Sequence, residues 1–213
     1  MLMSKSNKNA CSLLVMDDTL QRFPIRKSEL DRFKFGKRCY YQVANLTQDR
    51  LPLCLDVACG ANPFPLADVL CDLNVKPVKD RRMKRLVTDG KPFVVCSCYN
   101  LPFKAEAFDF ATSYYLLEHI ECPGLLFSEL KRVSKHGFIQ CPTWFSELLY
   151  GEDVHNWIVL KRGSRLYVRQ TGKGTESFRL RLPFHWLYRF RTWQLLHALV
   201  DEVFHIFTLT YTF

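Results

Sequence analysis

Gly60 and Asp72 have the residue types and the spacing to hold a nucleoside. They lie in the stretch 53–74, LCLDVACGANPFPLADVLCDLN. There the apolar run Leu53, Leu55, Val57 stops at a small-residue turn, Ala58-Cys59-Gly60-Ala61-Asn62, and a second run, Ala67 to Leu70, climbs to Asp72 and Leu73. The pattern predicts a strand, a tight turn and a second strand tipped by a carboxylate. In an α/β sheet such a turn lets backbone approach a ligand closely, and the acid accepts from ribose hydroxyls. A G-x-G-x-x-G fingerprint needs three glycines, and Gly60 stands here between Ala58 and Ala61, so no pyrophosphate cradle is implied.

Acid–base chemistry has two candidates. His119 has an intrinsic pKa suited to a general base, although Glu118 and His119 would equally serve to satisfy backbone groups at a helix start. Tyr115 follows the apolar strand Phe108–Ser113 and could orient an acceptor. Open α/β sheets bind beyond the carboxyl ends of their strands, which makes Ser113, Tyr114 and Tyr115 the expected cleft floor.

From about Leu53 to Thr143 the chain resembles the class I S-adenosylmethionine-dependent methyltransferases, in particular the type 11-like branch with a Leu-Glu-His element. After the 53–74 stretch, Phe93 to Phe103 with its Asn-Leu-Pro-Phe turn, Phe108-Asp109-Phe110-Ala111, Leu117-Glu118-His119-Ile120, the helix Pro123–Ser134 and Gly137 to Thr143 follow in the family's order. The resemblance implies an enzyme with a Rossmann-like α/β fold, a doubly wound, mostly parallel sheet, and S-adenosyl-L-methionine as cofactor. It implies that Asp56, Ala58, Cys59, Gly60, Ala61 and Asn62 hold the amino-acid end and approach the backbone region, and that Asp72 with Leu73 takes the ribose. Ser97 and Cys98 would meet the adenine, Ser97 standing where the family usually places an acid. No metal is expected, since no carboxylate/histidine cluster is visible in the sequence.

The 213 residues, 48% apolar and 14% aromatic, suit one folded domain able to bury a core. A formal charge of +9 favours an anionic partner. Nine cysteines, six of them in or beside expected strands, read as small apolar core residues of a reduced, cytoplasmic protein. Cys-x-x-Cys is absent, which argues against structural zinc and a disulfide framework. The apolar stretch Leu195–Phe213 is broken by His197, Asp201, Glu202 and His205, so no membrane span is expected.

The elements that must position these residues divide the chain in three. Residues 1–50 form a helical or extended lead-in: Cys11–Met16 is a short apolar run, and Ser28-Glu29-Leu30-Asp31 looks like the cap of a helix reaching Leu46, weakened by Gly36. Residues 51–145 are the cofactor-binding core. Only eleven residues separate Gly60 from Asp72, and Pro63 and Pro65 interrupt them, so the first crossover is predicted to shrink to a turn. The run 75–92, with Lys76, Lys79, Arg81, Arg82, Lys84, Arg85 and Lys91, reads as a solvated face or as a mobile loop capturing an anionic acceptor. Lys131, Arg132 and Lys135 close the helix, with His136-Gly137 ending it.

Residues 146–213 complete the sheet, with a hairpin over Trp157–Val168 supplying its antiparallel final strands. From Lys161 to Arg191 nine Lys/Arg alternate with aromatics, a composition shared by single-strand nucleic-acid surfaces and interfacial segments. The acceptor is expected to be an anionic or polar small molecule, a glycan or a lipid. RNA and a peripheral membrane contact are the other candidate partners, and the oligomeric state is left open. A methyltransferase-like binding protein without turnover is the competing reading.

Overall fold

Side chains buried alternately on two faces build the central sheet, and each face takes a different helix. The structure, a computed structural model, describes residues 14–15, 33–47, 50–79, 81–150, 152–162, 165–171 and 208–213. In chain order the elements are β1 (Leu14–Val15), α1 (Lys34–Leu46), β2 (Cys54–Val57), β3 (Val69–Asp72), β4 (Phe93–Val95), β5 (Phe108–Tyr114) and α2 (Pro123–Val133). They continue as β6 (Ser134–Pro142), α3 (Trp144–Tyr150), β7 (Trp157–Arg162), β8 (Arg165–Gln170) and β9 (Thr208–Thr212).

Five strands run parallel and β9 returns antiparallel along β6, giving the order β4-β3-β2-β5-β6-β9. This is a Rossmann-like, doubly wound, mostly parallel α/β sheet with a separate C-terminal antiparallel hairpin. The strand order reverses between β2 and β5, which places the ligand crevice beyond their carboxyl ends. Cys54, Leu70, Phe110 and Phe138 face Tyr40 and Val43 of α1. Their neighbours Leu55, Cys71, Ala111 and Ile139 face Leu126, Phe127, Leu130 and Val133 of α2. Strands covered on both faces read as unbroken apolar runs, and β5 is buried along its whole length.

Helix α1 starts at Lys34, and the expected cap at Ser28–Asp31 lies outside the described residues. Gly36 sits inside the helix for a packing reason: a Cβ there would stand 1.8 Å from the Tyr114 hydroxyl oxygen and 3.1 Å from Tyr114 Cζ. Tyr114 is wedged among Phe33, Phe64 and Phe138 and has little room to yield. Gly36→Ala is therefore expected to destabilise the fold by about 1–3 kcal/mol through overpacking, outweighing the roughly 1 kcal/mol that alanine gains in a helix interior. Urea denaturation checks this, and Tyr114→Phe in the same chain should recover most of the loss; a neutral single variant would contradict the packing account.

The first crossover is a turn, as the prolines require, and no helix connects β2 to β3. Phe64, wholly buried, fills the space a helix would cover. Asp56 accepts its N–H at 2.7 Å and the Thr112 hydroxyl at 3.0 Å, tying the turn to β5. The Asn100–Phe103 turn is pinned to α2: Leu101 N–H donates to Glu129 (2.6 Å), and Arg132 donates to the Leu101 and Phe103 carbonyls (2.8 and 2.7 Å).

Two expectations change. Helix α2 ends at Val133 and passes directly into β6, so His136 and Gly137 belong to a strand; the Gly137 backbone exchanges hydrogen bonds with Phe213 in both directions. The β7–β8 hairpin forms, but it pairs with β1 in its own three-stranded sheet, while β9 supplies the antiparallel edge of the main sheet. Val159 and Leu166 dock this second sheet onto the α2 side of the core. The basic–aromatic stretch beyond Thr171 lies outside the described residues. Among the described residues the cysteines are free thiols, and no helix is long and apolar enough to cross a membrane.

Candidate functional site

At the carboxyl end of β2 the chain turns through two left-handed residues, Ala58 (φ +60°) and Gly60 (φ +58°). Glycine adopts this conformation freely, whereas an alanine costs about 1–2 kcal/mol. Such strain is retained where surrounding structure dictates the backbone, and functional sites are where it gathers. Cys59 N–H donates to Cys71 O (3.1 Å) and Gly60 N–H to Asp72 Oδ2 (3.1 Å), so the turn is clamped to the end of β3. Burial pushes the Cys59 thiol up to about 12 and Cys98 up to about 11, which keeps both protonated. Ala61 and Asn62 continue the turn, where Asn62 N–H reaches Cys59 O at 3.4 Å.

Asp72 has little left to offer: besides Gly60 it accepts from Asn74 N–H (2.9 Å) and pairs with Arg81 (3.4 Å). The charge run read as a solvated face thus contains one cation folded inward. The Arg81 side chain is only 10% exposed. It also donates to the Asn74 and Lys76 carbonyls (2.9 and 2.5 Å) and to Lys84 O (3.1 Å). Val87 N–H closes onto Gly60 O at 3.1 Å, drawing the same loop over the turn. Lys91 donates to Pro65 O and Ala67 O, and Arg82 pairs with Glu152.

The other expected site residues are distributed unevenly. Ser97 Oγ accepts Tyr99 N–H (3.2 Å) in the turn after β4, and Leu73 is exposed. Ser113 is fully buried with its Oγ unpartnered, at the end of β5. Tyr114 belongs to the α1-side core rather than to an open surface. Tyr115, in the left-handed region at φ +54°, is partly exposed and accepts from Gln140 Nε2 at 2.9 Å.

Glu118 and His119 form a turn after β5 and meet residues from much later in the chain. His119 packs edge-on against His155, ring centroids 4.7 Å apart, and His155 Nδ1 lies 2.5 Å from Glu147 Oε1. Glu118 is 1% exposed, and burial pushes its carboxyl up to about 8. Burial lowers His155, but the Glu147 hydrogen bond and neighbouring carboxylates outweigh it and the net shift is upward. The sequence shows no carboxylate/histidine cluster because these pairs are far apart along it; the fold assembles one. Glu147 and His155, eight residues apart across the end of α3, give no local signal, and neither does the inward turn of Arg81.

Residues 55–139 match the methyltransferase domain family. Similar solved structures include a SAM-dependent methyltransferase from Thermotoga maritima, 19% identical over 55% of this chain and 56% of that one, with a TM-score of 0.36. An S-adenosylmethionine dependent methyltransferase from Mesorhizobium loti is 14% identical over 76% and 89% of the two chains, TM-score 0.42. The plantazolicin methyltransferase BpumL in complex with SAH is 19% identical over 55% and 50%, TM-score 0.38. The chain thus spans about half the length of the first and third of these. No curated protein matches it.

Proposed function

We propose that this chain, whose residues 55–139 carry a class I S-adenosylmethionine-dependent methyltransferase domain, transfers a methyl group to a polar or anionic small-molecule acceptor in the cytoplasm. The observation that carries the reading is the left-handed turn at Gly60 clamped to Asp72, at the point where the strand order reverses. S-adenosylmethionine, when bound, supplies an electrophilic methyl group on a sulfonium.

The residues fit that group on one condition. Above Gly60, the nearest atoms to an added Cβ are Arg81 Cδ at 3.4 Å and Ala58 O at 3.8 Å, so a flexible side chain closes the approach. With the Arg81 guanidinium withdrawn, Asp72 is released to accept ribose hydroxyls and the Ala58–Asn62 backbone is open to the amino-acid end. Ser97 and Cys98 would border the adenine and Leu73 the ribose, with Ser113 on the floor. Tyr115, which accepts from Gln140, would orient an acceptor, and His119, four residues further on, would be the proton acceptor. Positioning supplies most of the rate, because in-line displacement gains on the order of 7–11 kcal/mol from orientation alone.

Titration calorimetry of the full chain with S-adenosylmethionine and S-adenosylhomocysteine tests the reading. Saturable binding near 1:1 is expected, with no heat at millimolar ligand overturning it. Arg81→Ala is expected to tighten binding about tenfold, since an ion pair and its hydrogen bonds no longer have to be broken first. Weaker binding in that variant would instead make Arg81 part of the ligand site. A second reading, a binding protein without turnover, is favoured by Ser97 standing where the family usually places an acid; it predicts cofactor heat but no labelled product from any acceptor, with Arg81→Ala as inert as wild type.

A further inference from the structure

We propose that Glu118, His119 and His155 form a binding site for a divalent first-row transition cation, zinc being the best match, with Glu147 orienting His155. The site shares His119 with the methyl-transfer reading, but it is argued from its own geometry and does not rest on that reading. One ligand atom from each of the three residues lies within 4.8 Å of the others. Metal–ligand distances of about 2.0–2.2 Å place tetrahedral donors roughly 3.5 Å apart, so the three need to close by about 1 Å.

Both imidazoles are oriented for this. His155 Nδ1 meets Glu147 Oε1 at 2.5 Å, and His119 Nδ1 faces Val154 O at 3.4 Å. An acceptor at Nδ1 keeps the proton there and leaves the Nε2 lone pair to a metal, the arrangement by which carboxylates and carbonyls position histidine ligands. His119 Nε2 stands 4.0 Å from Glu118 Oε1. The second oxygen of that carboxylate, Oε2, is buried without a hydrogen-bond partner. A buried carboxylate calls for a cation or a donor, and Arg82 is engaged at the surface by Glu152.

The backbone beneath the ligands is fixed in advance. Asn156 N–H donates to Glu118 O (2.6 Å), Asn156 Nδ2 to His119 O (2.5 Å), and Trp157 Nε1 to Ile120 O (2.7 Å). Thr171 Oγ1 donates to His155 O at 2.8 Å. Two imidazoles and one carboxylate leave a fourth position open, the pattern of reactive rather than purely structural zinc. Nitrogen donors disfavour magnesium and calcium, which take oxygen. An imidazole ligated through Nε2 cannot also accept a proton there, so a loaded site removes His119 from general-base duty.

The test uses the full chain, stripped with a chelator and titrated with zinc against a chromogenic competitor, and in parallel with cobalt(II). One equivalent of zinc is expected, with cobalt d–d bands of nitrogen and oxygen donors and no thiolate charge transfer. His155→Ala should weaken zinc at least about 100-fold and Glu147→Gln about 10–100-fold. Glu118→Gln, which keeps the side-chain shape, should also weaken it. If His155→Ala misfolds, the wild-type cobalt spectrum and Glu118→Gln still decide. Thiolate bands, no saturable equivalent, or unchanged affinity in Glu118→Gln would overturn the proposal.

Discussion

Replacing Gly60 by valine is expected to cost at least ~100-fold in S-adenosylmethionine affinity, read directly by titration calorimetry. The backbone at residue 60 has φ +58°, a region where a β-branched side chain is a true outlier. Strain of about 1–3 kcal/mol lets the free turn relax out of this geometry, and restoring it on binding is the first part of the loss. The second is steric: a Cβ already meets Arg81 Cδ at 3.4 Å, and the two added methyls reach into the space a ligand needs. Relaxing the turn to relieve the strain pulls Gly60 N–H off Asp72, which leaves the carboxylate misplaced. About 2.7 kcal/mol in total corresponds to the 100-fold loss. Asp72→Ala should weaken binding as well, while freeing Arg81. Unchanged affinity in Gly60→Val, with the fold intact by circular dichroism, would remove this turn from the ligand site.

The sequence showed most of the sheet because β2, β3, β5 and β6 are covered on both faces, which leaves apolar runs that need no periodicity to find. The compressed crossover was equally readable, since Pro63 and Pro65 forbid a helix in so few residues. What failed were statements about long-range partners. The β7–β8 hairpin is a local event and could be foreseen, whereas its pairing with Leu14–Val15 depends on a segment more than a hundred residues away. Gly36 weakened the helix expectation because the residue it accommodates, Tyr114, belongs to another element. Arg81 was indistinguishable from its basic neighbours until the loop folded it onto Asp72. Glu118 and His119 were visible as a motif, but their partners Glu147 and His155 join them only in three dimensions.

Phe64→Ala is expected to lower stability by about 3–5 kcal/mol, measured as the shift in the urea midpoint at constant slope. Phe64 is wholly buried and takes the place of the missing first helix, so its ring fills the space between the compressed crossover and α1. It stacks on Tyr114 at 5.9 Å between ring centroids and meets Phe33 edge-on at 5.8 Å, and Tyr40 at 6.4 Å. Those three rings join α1 to β5, so the cavity would open at the seam between helix and sheet. The same residue ties the fold to the ligand turn, because its N–H holds Asp56, which in turn holds Thr112 of β5. Loss of the ring therefore loosens the Ala58–Asn62 turn before the molecule unfolds. Cofactor affinity should fall in Phe64→Ala even at urea concentrations where the chain remains native, while Phe64→Leu, which fills most of the volume, should retain most of both properties. A loss below about 1 kcal/mol in the alanine variant would mean that α1 closes over the gap, and that the compressed crossover depends on its backbone hydrogen bonds rather than on this ring.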